Sequence, residues 1–326
     1  MLPKKKMKMK ISNIFITLII VTSLIGFTSC EKVIDVKLEE GESQLTVDGF
    51  ITFYYDSVAL KSGIENQVIK LRKTAPYFNN APAPPALGAT VKVTDALGRT
   101  FEFKDDNNDG DYVYTGPFLL SFTNPPLGFP GNFYQLDIKY NNEEFTSQAY
   151  MDSVPVIDSL KFKKEPQAIQ GPDTLKAGFV VDQILTRKSN GSLQPAKDVK
   201  GEGTCYWFKT YKNDKFYNKP GQMNLAYDAA FGPGSDNVAF IPPIIFSLSP
   251  ERFDSLDQVR IECWSVGLPA YYFLSLAQIQ MTNEGLFATP PTNVPCNITN
   301  KNKESKVKAV GWFGAASISR ITQVVK

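Results

Sequence analysis

The stretch Thr90-Val91-Lys92-Val93-Thr94-Asp95-Ala96-Leu97-Gly98-Arg99-Thr100-Phe101-Glu102-Phe103-Lys104-Asp105-Asp106-Asn107-Asn108-Asp109-Gly110-Asp111-Tyr112-Val113-Tyr114-Thr115 decides the fold class. Thr90 to Thr94, Thr100 to Phe103 and Tyr112 to Thr115 are runs of β-branched and aromatic residues, each too short for a helix. Asp95 to Gly98 and Asp105 to Gly110 supply the aspartate, asparagine and glycine of tight turns between them. Strands of this length at this spacing predict an antiparallel sandwich.

Outward from there the pattern continues. Upstream, Leu45, Val47, Gly49, Ile51 and Phe53 alternate with other residues, and Val68-Ile69-Lys70-Leu71 forms a second strand. Pro82, Pro84 and Pro85 make Asn79 to Leu87 an extended loop, because proline has no amide to give to a ladder. Downstream, a second apolar loop runs from Phe118 to Gly131, and Phe133 to Tyr140 and Glu144 to Tyr150 pair as a hairpin turning at Asn141-Asn142. Residues 44–152 thus read as one immunoglobulin- or transthyretin-like sandwich. Ser153-Val154-Pro155 breaks the pattern and marks a domain boundary.

Residues 153–326 read as a second β-sandwich domain. Its strands are expected at Val156 to Phe162, Lys176 to Val181, Gly203 to Lys212, Val238 to Phe246 and Gln258 to Trp264, with Ala309 to Phe313 and Ile318 to Val325 closing it. Pro269 to Met281 is its helix, where proline suits the first turn and Tyr272, Phe273, Leu276 and Ile279 share one apolar face. The whole is an all-β, mainly antiparallel chain with one helix.

The N-terminal end has a different character. Lys4, Lys5, Lys6, Lys8 and Lys10 precede an apolar run from Ile14 to Phe27, whose 14 residues suit a secretory leader and fall short of the ~20 that cross a bilayer. Phe27-Thr28-Ser29-Cys30 resembles the bacterial lipobox, in which the cysteine thiol is lipidated and the chain is cut before it. This predicts a signal peptide over 1–29, a lipid on Cys30 and a charged tether over 30–43 that leaves the protein anchored to a membrane. Loss of the leader lowers the 35 basic residues to 30 against 33 acidic ones. A mature chain near −3 lacks the basic face that nucleic acid requires.

Candidate chemistry is narrow. The chain has no histidine, which excludes imidazole bases and histidine-ligated metals. Cys205, Cys263 and Cys296 leave an odd count beside Cys30, so one disulfide among the three and one free thiol are expected. Asp105 to Gly110 matches half of a calcium loop, with Asp105, Asn107, Asp109 and Asp111 as its oxygens. Gly116 stands where the bidentate glutamate belongs, so a solvated hairpin turn competes with that reading. Glu143, Glu144, Asp254 and Asp257 are the acids available to a glycan hydrolase. Tyr77, Phe78, Phe122, Leu127 and Phe129 lie in proline-edged loops and read as a surface for another protein. Asp-Ser or Asp-Thr before an apolar residue, as at Asp56, Asp152, Asp158, Asp173 and Asp254, looks like an O-glycan acceptor pattern.

One resemblance spans the mature chain. Leu45-Thr46-Val47-Asp48-Gly49, Gly88 to Asp95 followed by Gly98, Gly110-Asp111-Tyr112, Gly131 to Leu136, Pro155 to Leu160, Cys296-Asn297-Ile298 and Gly311-Trp312-Phe313-Gly314-Ala315-Ala316-Ser317 occur in order. In this order they resemble a Bacteroidetes outer-membrane lipoprotein family catalogued as a domain of unknown function, DUF4249. Cys296 departs from it, glycine being commoner before Asn-Ile. The resemblance implies a non-catalytic envelope lipoprotein that works beside a TonB-dependent transporter, with no cofactor other than the lipid on Cys30. A structural or adhesive surface lipoprotein is the alternative, and a carboxylate-based glycan hydrolase a third.

Overall fold

The computed structural model describes residues 43–56, 61–63, 67–75, 81–116, 127–165, 177–201, 203–219, 221–231, 234, 236–283 and 294–326. The first half of the chain contributes β1 (Leu45–Asp56), β2 (Lys61–Gly63), β3 (Gln67–Lys73), β4 (Thr90–Asp95), β5 (Thr100–Phe103), β6 (Asp111–Tyr114), β7 (Phe133–Tyr140) and β8 (Glu143–Tyr150). The second half contributes β9 (Ser159–Glu165), β10 (Gly178–Arg187), β11 (Leu193–Pro195), β12 (Cys205–Lys212), β13 (Lys215–Phe216), β14 (Asn224–Tyr227), β15 (Gln258–Val266), β16 (Thr299–Asn300) and β17 (Ala309–Val324). Two helices, α1 (Pro242–Ser247) and α2 (Leu268–Met281), complete the set. The fold is all-β, as the sequence predicts, and mainly antiparallel.

The strand pattern between Thr90 and Tyr114 is realised, but its members divide between two layers. β4 and β5 pair with each other in the sheet β16-β8-β7-β4-β5, while β6 pairs with β3 in a long sheet ordered β13-β12-β15-β17-β1-β3-β6. The β7–β8 hairpin turns on Asn141 and Asn142, both at positive φ, as an Asn-Asn turn allows. A third sheet, β11-β10-β9, lies in the second half.

β17 is the spine. Its first part runs parallel to β1, from Leu45↔Ala309 to Asp56↔Arg320, and its last part pairs antiparallel with β15, from Ser265↔Ser317 to Gln258↔Val324. The two closing strands expected from the sequence are thus one strand, bridged by Gly314-Ala315-Ala316-Ser317. Small residues suit a central strand buried on both faces. At Gly314 a Cβ would lie 2.3 Å from the Phe50 ring. Glycine there leaves Phe50 room to approach Trp264 edge-on, with ring centroids 6.0 Å apart.

The boundary expected at Ser153-Val154-Pro155 does not separate two independent sheets, because β17, from the far end of the chain, is hydrogen-bonded to β1 on one side and to β15 on the other. Residues 42–326 form one compact unit. What does divide is the core. Val47, Ile51, Ile69, Leu136, Phe145 and Phe313 belong to one apolar cluster, and Leu160, Val181, Phe208, Phe253, Ile261 and Ile321 to another. Between them, the Ile157 amide donates to Ser319 Oγ at 2.8 Å, the Leu160 amide donates to Gln323 Oε1 at 3.0 Å, and Ser317 Oγ donates to the Asp152 carbonyl. These bonds satisfy two fully buried hydroxyls and pin the crossing chain to the spine.

Two local expectations are corrected. Val238 to Phe246 is not a strand: Ala239 makes one isolated bridge with Lys197, and Pro242 starts α1. Pro242 and Pro243 cannot donate to a sheet, whereas the first turn of a helix needs no amide there. In α2 the apolar stripe faces the other way. Ala270 and Leu274 are buried and Phe273 stacks on Trp312 at 5.0 Å, while Tyr272, Leu276 and Ile279 are exposed.

Candidate functional site

Side chains alternate across the long sheet. One face supplies the two cores just described; the other carries Phe50, Trp207, Trp264, Trp312, Cys205 and Val266, the members of a third apolar cluster. α2 packs on this cluster through Ala270 and Phe273, and Tyr271 meets the Tyr227 ring at 5.6 Å. Gln278 Nε2 donates to the carbonyls of Gly221 at 2.7 Å and Met223 at 3.1 Å, fixing the helix against the loop before β14.

On the same face as Trp207 and Trp264 lies a charged platform. Glu262, 3% exposed, accepts from Arg320 Nε at 3.0 Å and from the Trp264 indole at 3.1 Å. Arg260 stacks on Tyr211 and Arg320 on Tyr54. Lys209 projects its ammonium between two indoles, 3.7 Å from the Trp207 centroid and 3.3 Å from the Trp264 centroid. Removal from water pushes its pKa down to about 8, against the opposing pull of Glu262 and Asp48. The rings hold the cation by their electron-rich faces where water has been stripped away.

Beside the N-terminus of α2 a cleft of about 460 Å³ is bordered by Tyr150, Asp152, Leu268, Asn297 and Trp312. Burial raises the Asp152 carboxyl, and the buried Trp312 indole N–H has no hydrogen-bond partner. The helix is the other wall, and its outer side is apolar: Tyr272 is 53% exposed, Leu276 38%, Ile279 56% and Met281 45%. Tyr272, Leu276 and Ile279 fall at i, i+4 and i+7, one stripe along a helix.

Of the residues singled out from the sequence, Cys30, Tyr77, Phe78 and Phe122 lie outside the described residues. Leu127 is no surface residue; it is fully buried in the first core. Phe129 is exposed and meets Phe53 edge-on, and nearby Phe133 and Tyr150 form an exposed ring pair at 4.7 Å.

The turn acids do not converge on an ion position. Asp105 accepts from the amides of Asp109 and Gly110, Asp109 from that of Asp111, and Asp111 pairs with Arg72 and Lys70. This is a turn that carries the chain from β5 in one sheet to β6 in the other, closed by bonds between its own aspartates and backbone. The acids proposed for hydrolysis are likewise engaged. Ser305 and Asn300 hold Glu143 below the usual carboxylate range, and Lys139 holds Glu144 there. Burial raises Asp257, but Lys212, the Asp254 amide and Asn213 outweigh it and leave it low. A glycosidase acid needs the opposite shift.

The expected disulfide is absent. Cys205, Cys263 and Cys296 are free, and each belongs to a different apolar cluster, on opposite faces of the sheet for the first two. Burial lifts Cys205 to about 12 and Cys263 well above its ordinary value, so both stay protonated. The sequence reading missed the Lys209 platform because its members come from four strands and none is unusual alone. The alternation Trp207-Phe208-Lys209-Thr210-Tyr211 was the available signal, with the charge on the side of the indole.

A two-layered β protein built on one shared sheet, with an aromatic and cationic face flanked by an outward-facing apolar helix, is the class that fold and site define. A family model described as "Domain of unknown function (DUF4249)" matches residues 31–322, and the chain belongs to that family. Comparison with curated proteins gave no match. Among the described residues no helix is long and apolar enough to cross a membrane.

Proposed function

We propose that the protein is a non-catalytic envelope lipoprotein that docks through the outer face of α2 onto a TonB-dependent β-barrel in the outer membrane. The observation that carries this reading is the stripe Tyr272, Leu276 and Ile279, with Met281 at its end, left in water on a helix whose opposite side is anchored to the sheet. Exposing several large apolar side chains along one stripe gives up burial worth roughly 1.5–3 kcal/mol each, which a partner surface recovers. A lipid on Cys30 keeps such a partner close. The fifteen links from Cys30 to Leu45 span at most about 54 Å when extended, so the body stays within that reach of the membrane.

The test is site-specific photo-crosslinking in whole cells. A photoreactive residue at Leu276 should capture an outer-membrane barrel, while one at Lys139, an exposed residue of β7 in the other layer, should not. Absence of a barrel from Leu276, or equal capture from both positions, refutes the docking reading. Capture of matrix components or neighbouring-cell proteins in its place would support the adhesive alternative.

A further inference from the structure

A second feature lies at the other end of β12, where the chain enters the long sheet. Asp198 follows β11, Asp228 opens a 3-10 turn directly after β14, and Asp236 precedes α1. Separate segments bring them together: β14 pairs with the start of β12, Cys205↔Tyr227, while the strap before α1 returns alongside the chain after β11 through Asp198 N to Val238 O at 3.0 Å and Phe240 N to Ala196 O at 3.2 Å.

One carboxylate oxygen from each aspartate lies within 4.8 Å of the others. Two oxygens on opposite sides of a calcium ion at ~2.4 Å are about 4.8 Å apart, so the three can share one ion. A group of acids alone proves nothing, but Asp198 adds a separate observation. It is 7% exposed, both its oxygens are shut off from solvent, and neither has a hydrogen-bond partner. The amides of Asn237 and Val238 lie close enough to favour its charged form without bonding to it. Neither carboxylate oxygen of Asp198 is met by a lysine or arginine among the described residues. Burial, with Asp228 and Asp236 beside it, raises the Asp198 carboxyl. A buried unpaired carboxylate is costly, and either a proton or a cation must relieve it.

The surroundings suit a cation. The Gly203 amide donates to Asp228 Oδ2 at 3.2 Å and the Gly201 amide to Asp236 Oδ1 at 2.8 Å, so both carboxylates are positioned by backbone. The cavity of about 30 Å³ beside Asp198 and Asp228 is lined mainly by apolar side chains such as Ala226, Phe240, Ile241 and Ile244 and does not reach Asp236, so the ion would sit among the three carboxylates themselves. The donors are carboxylate oxygens, hard ligands that favour calcium or magnesium over zinc or copper. Loop-borne carboxylates without an octahedral frame favour calcium, which accepts irregular geometry, over magnesium.

We propose that Asp198, Asp228 and Asp236 together bind one calcium ion, which ties the segment after β11 to the strap before α1 and to the turn after β14. The reading is independent of docking through α2.

The test uses the intact mature protein in detergent, stripped with a chelator and then titrated with calcium by calorimetry, with terbium as a luminescent substitute. One ion per chain should bind, thermal unfolding should move up by several degrees at about 5 mM calcium, above the 10⁻⁴–10⁻³ M range of extracellular modules, and nearby Tyr206 and Tyr227 should sensitise terbium emission. Magnesium at the same concentration should give a markedly smaller shift. Asp198→Asn and Asp236→Asn should fold and lose at least tenfold in calcium affinity, while Asp105→Asn in the β5–β6 turn should leave it unchanged. No heat, shift or terbium signal in the unmutated protein overturns the proposal, as does a calcium response that survives Asp198→Asn or vanishes in Asp105→Asn. A stripped protein that is stabilised by Asp198→Asn and indifferent to calcium shows a protonated acid, and refutes the site.

Discussion

Replacing Gly311 with alanine tests the central claim that β17 and β1 approach each other more closely than any side chain permits. Gly311 has φ of +105°, and a Cβ there would sit 2.0 Å from the Val47 carbonyl oxygen and 3.0 Å from the Val47 nitrogen. The conformation alone costs a non-glycine residue about 1–3 kcal/mol. The clash is with backbone, and Val47 is paired to Gly311 in the β1–β17 ladder, so relief requires parting the strands and weakening at least one ladder bond, about 1 kcal/mol more. The sum, about 2–4 kcal/mol, should appear as a fall in the urea midpoint at constant slope. Gly314→Ala is the internal comparison. There the atoms nearest the Cβ all belong to the Phe50 ring, which can move at the cost of its contact with Trp264, so about 1 kcal/mol is expected. In a double-mutant cycle, Phe50→Ala should suppress most of the Gly314→Ala penalty and none of that at Gly311. Equal penalties at the two glycines, or rescue of Gly311→Ala by Phe50→Ala, would refute the reasoning.

Other consequences are open to measurement. Asp95, 9% exposed, accepts from the amides of Leu97 and Arg99 and from the Arg99 guanidinium, so Asp95→Ala should cost about 2–3 kcal/mol in chemical denaturation. Lys209 should titrate near pH 8 by NMR of its side-chain carbon, since its folded pKa is about 8 against an ordinary 10.5. Between those values the unfolded chain binds the extra proton, so this group makes stability rise with pH from about 8 towards 10, and Lys209→Met should flatten that rise. Thiol reagents at neutral pH should leave Cys205 and Cys263 unmodified in the folded protein and alkylate them after denaturation without reductant. A disulfide-linked peptide in a non-reduced digest would contradict the separation of the three thiols.

Local signals carried the fold class. The hairpins at β4–β5 and β7–β8 were legible because alternation and turn chemistry act between neighbouring residues: Asp95 bonds to its own turn, and Asn141 and Asn142 take positive φ. The helix was legible as a stripe of large apolar residues. Which way that stripe points was not, because periodicity fixes which residues share a face and says nothing of what lies beside it. Ala270, Tyr271, Phe273 and Leu274 face the sheet, where Trp312 meets Phe273 and Tyr227 meets Tyr271, and Tyr272, Leu276 and Ile279 are left outside. The domain division failed for a related reason. Ser153-Val154-Pro155 does interrupt the strands, yet the partner of β1 lies at the opposite end of the chain, and no local pattern encodes a parallel pairing over that separation. The acidic group at Asp198, Asp228 and Asp236 and the Lys209 platform belong to the same class of fact. Their residues are ordinary in sequence and acquire shifted chemistry only when strands set them side by side and exclude water. The amino-acid sequence by itself therefore determined the strand type, the turns and the family, since these rest on short-range sterics and on motif order. The shared sheet, the separate thiols, the outward helix and the buried charges were decided by tertiary structure, since long-range packing alone sets burial and the distance between charges.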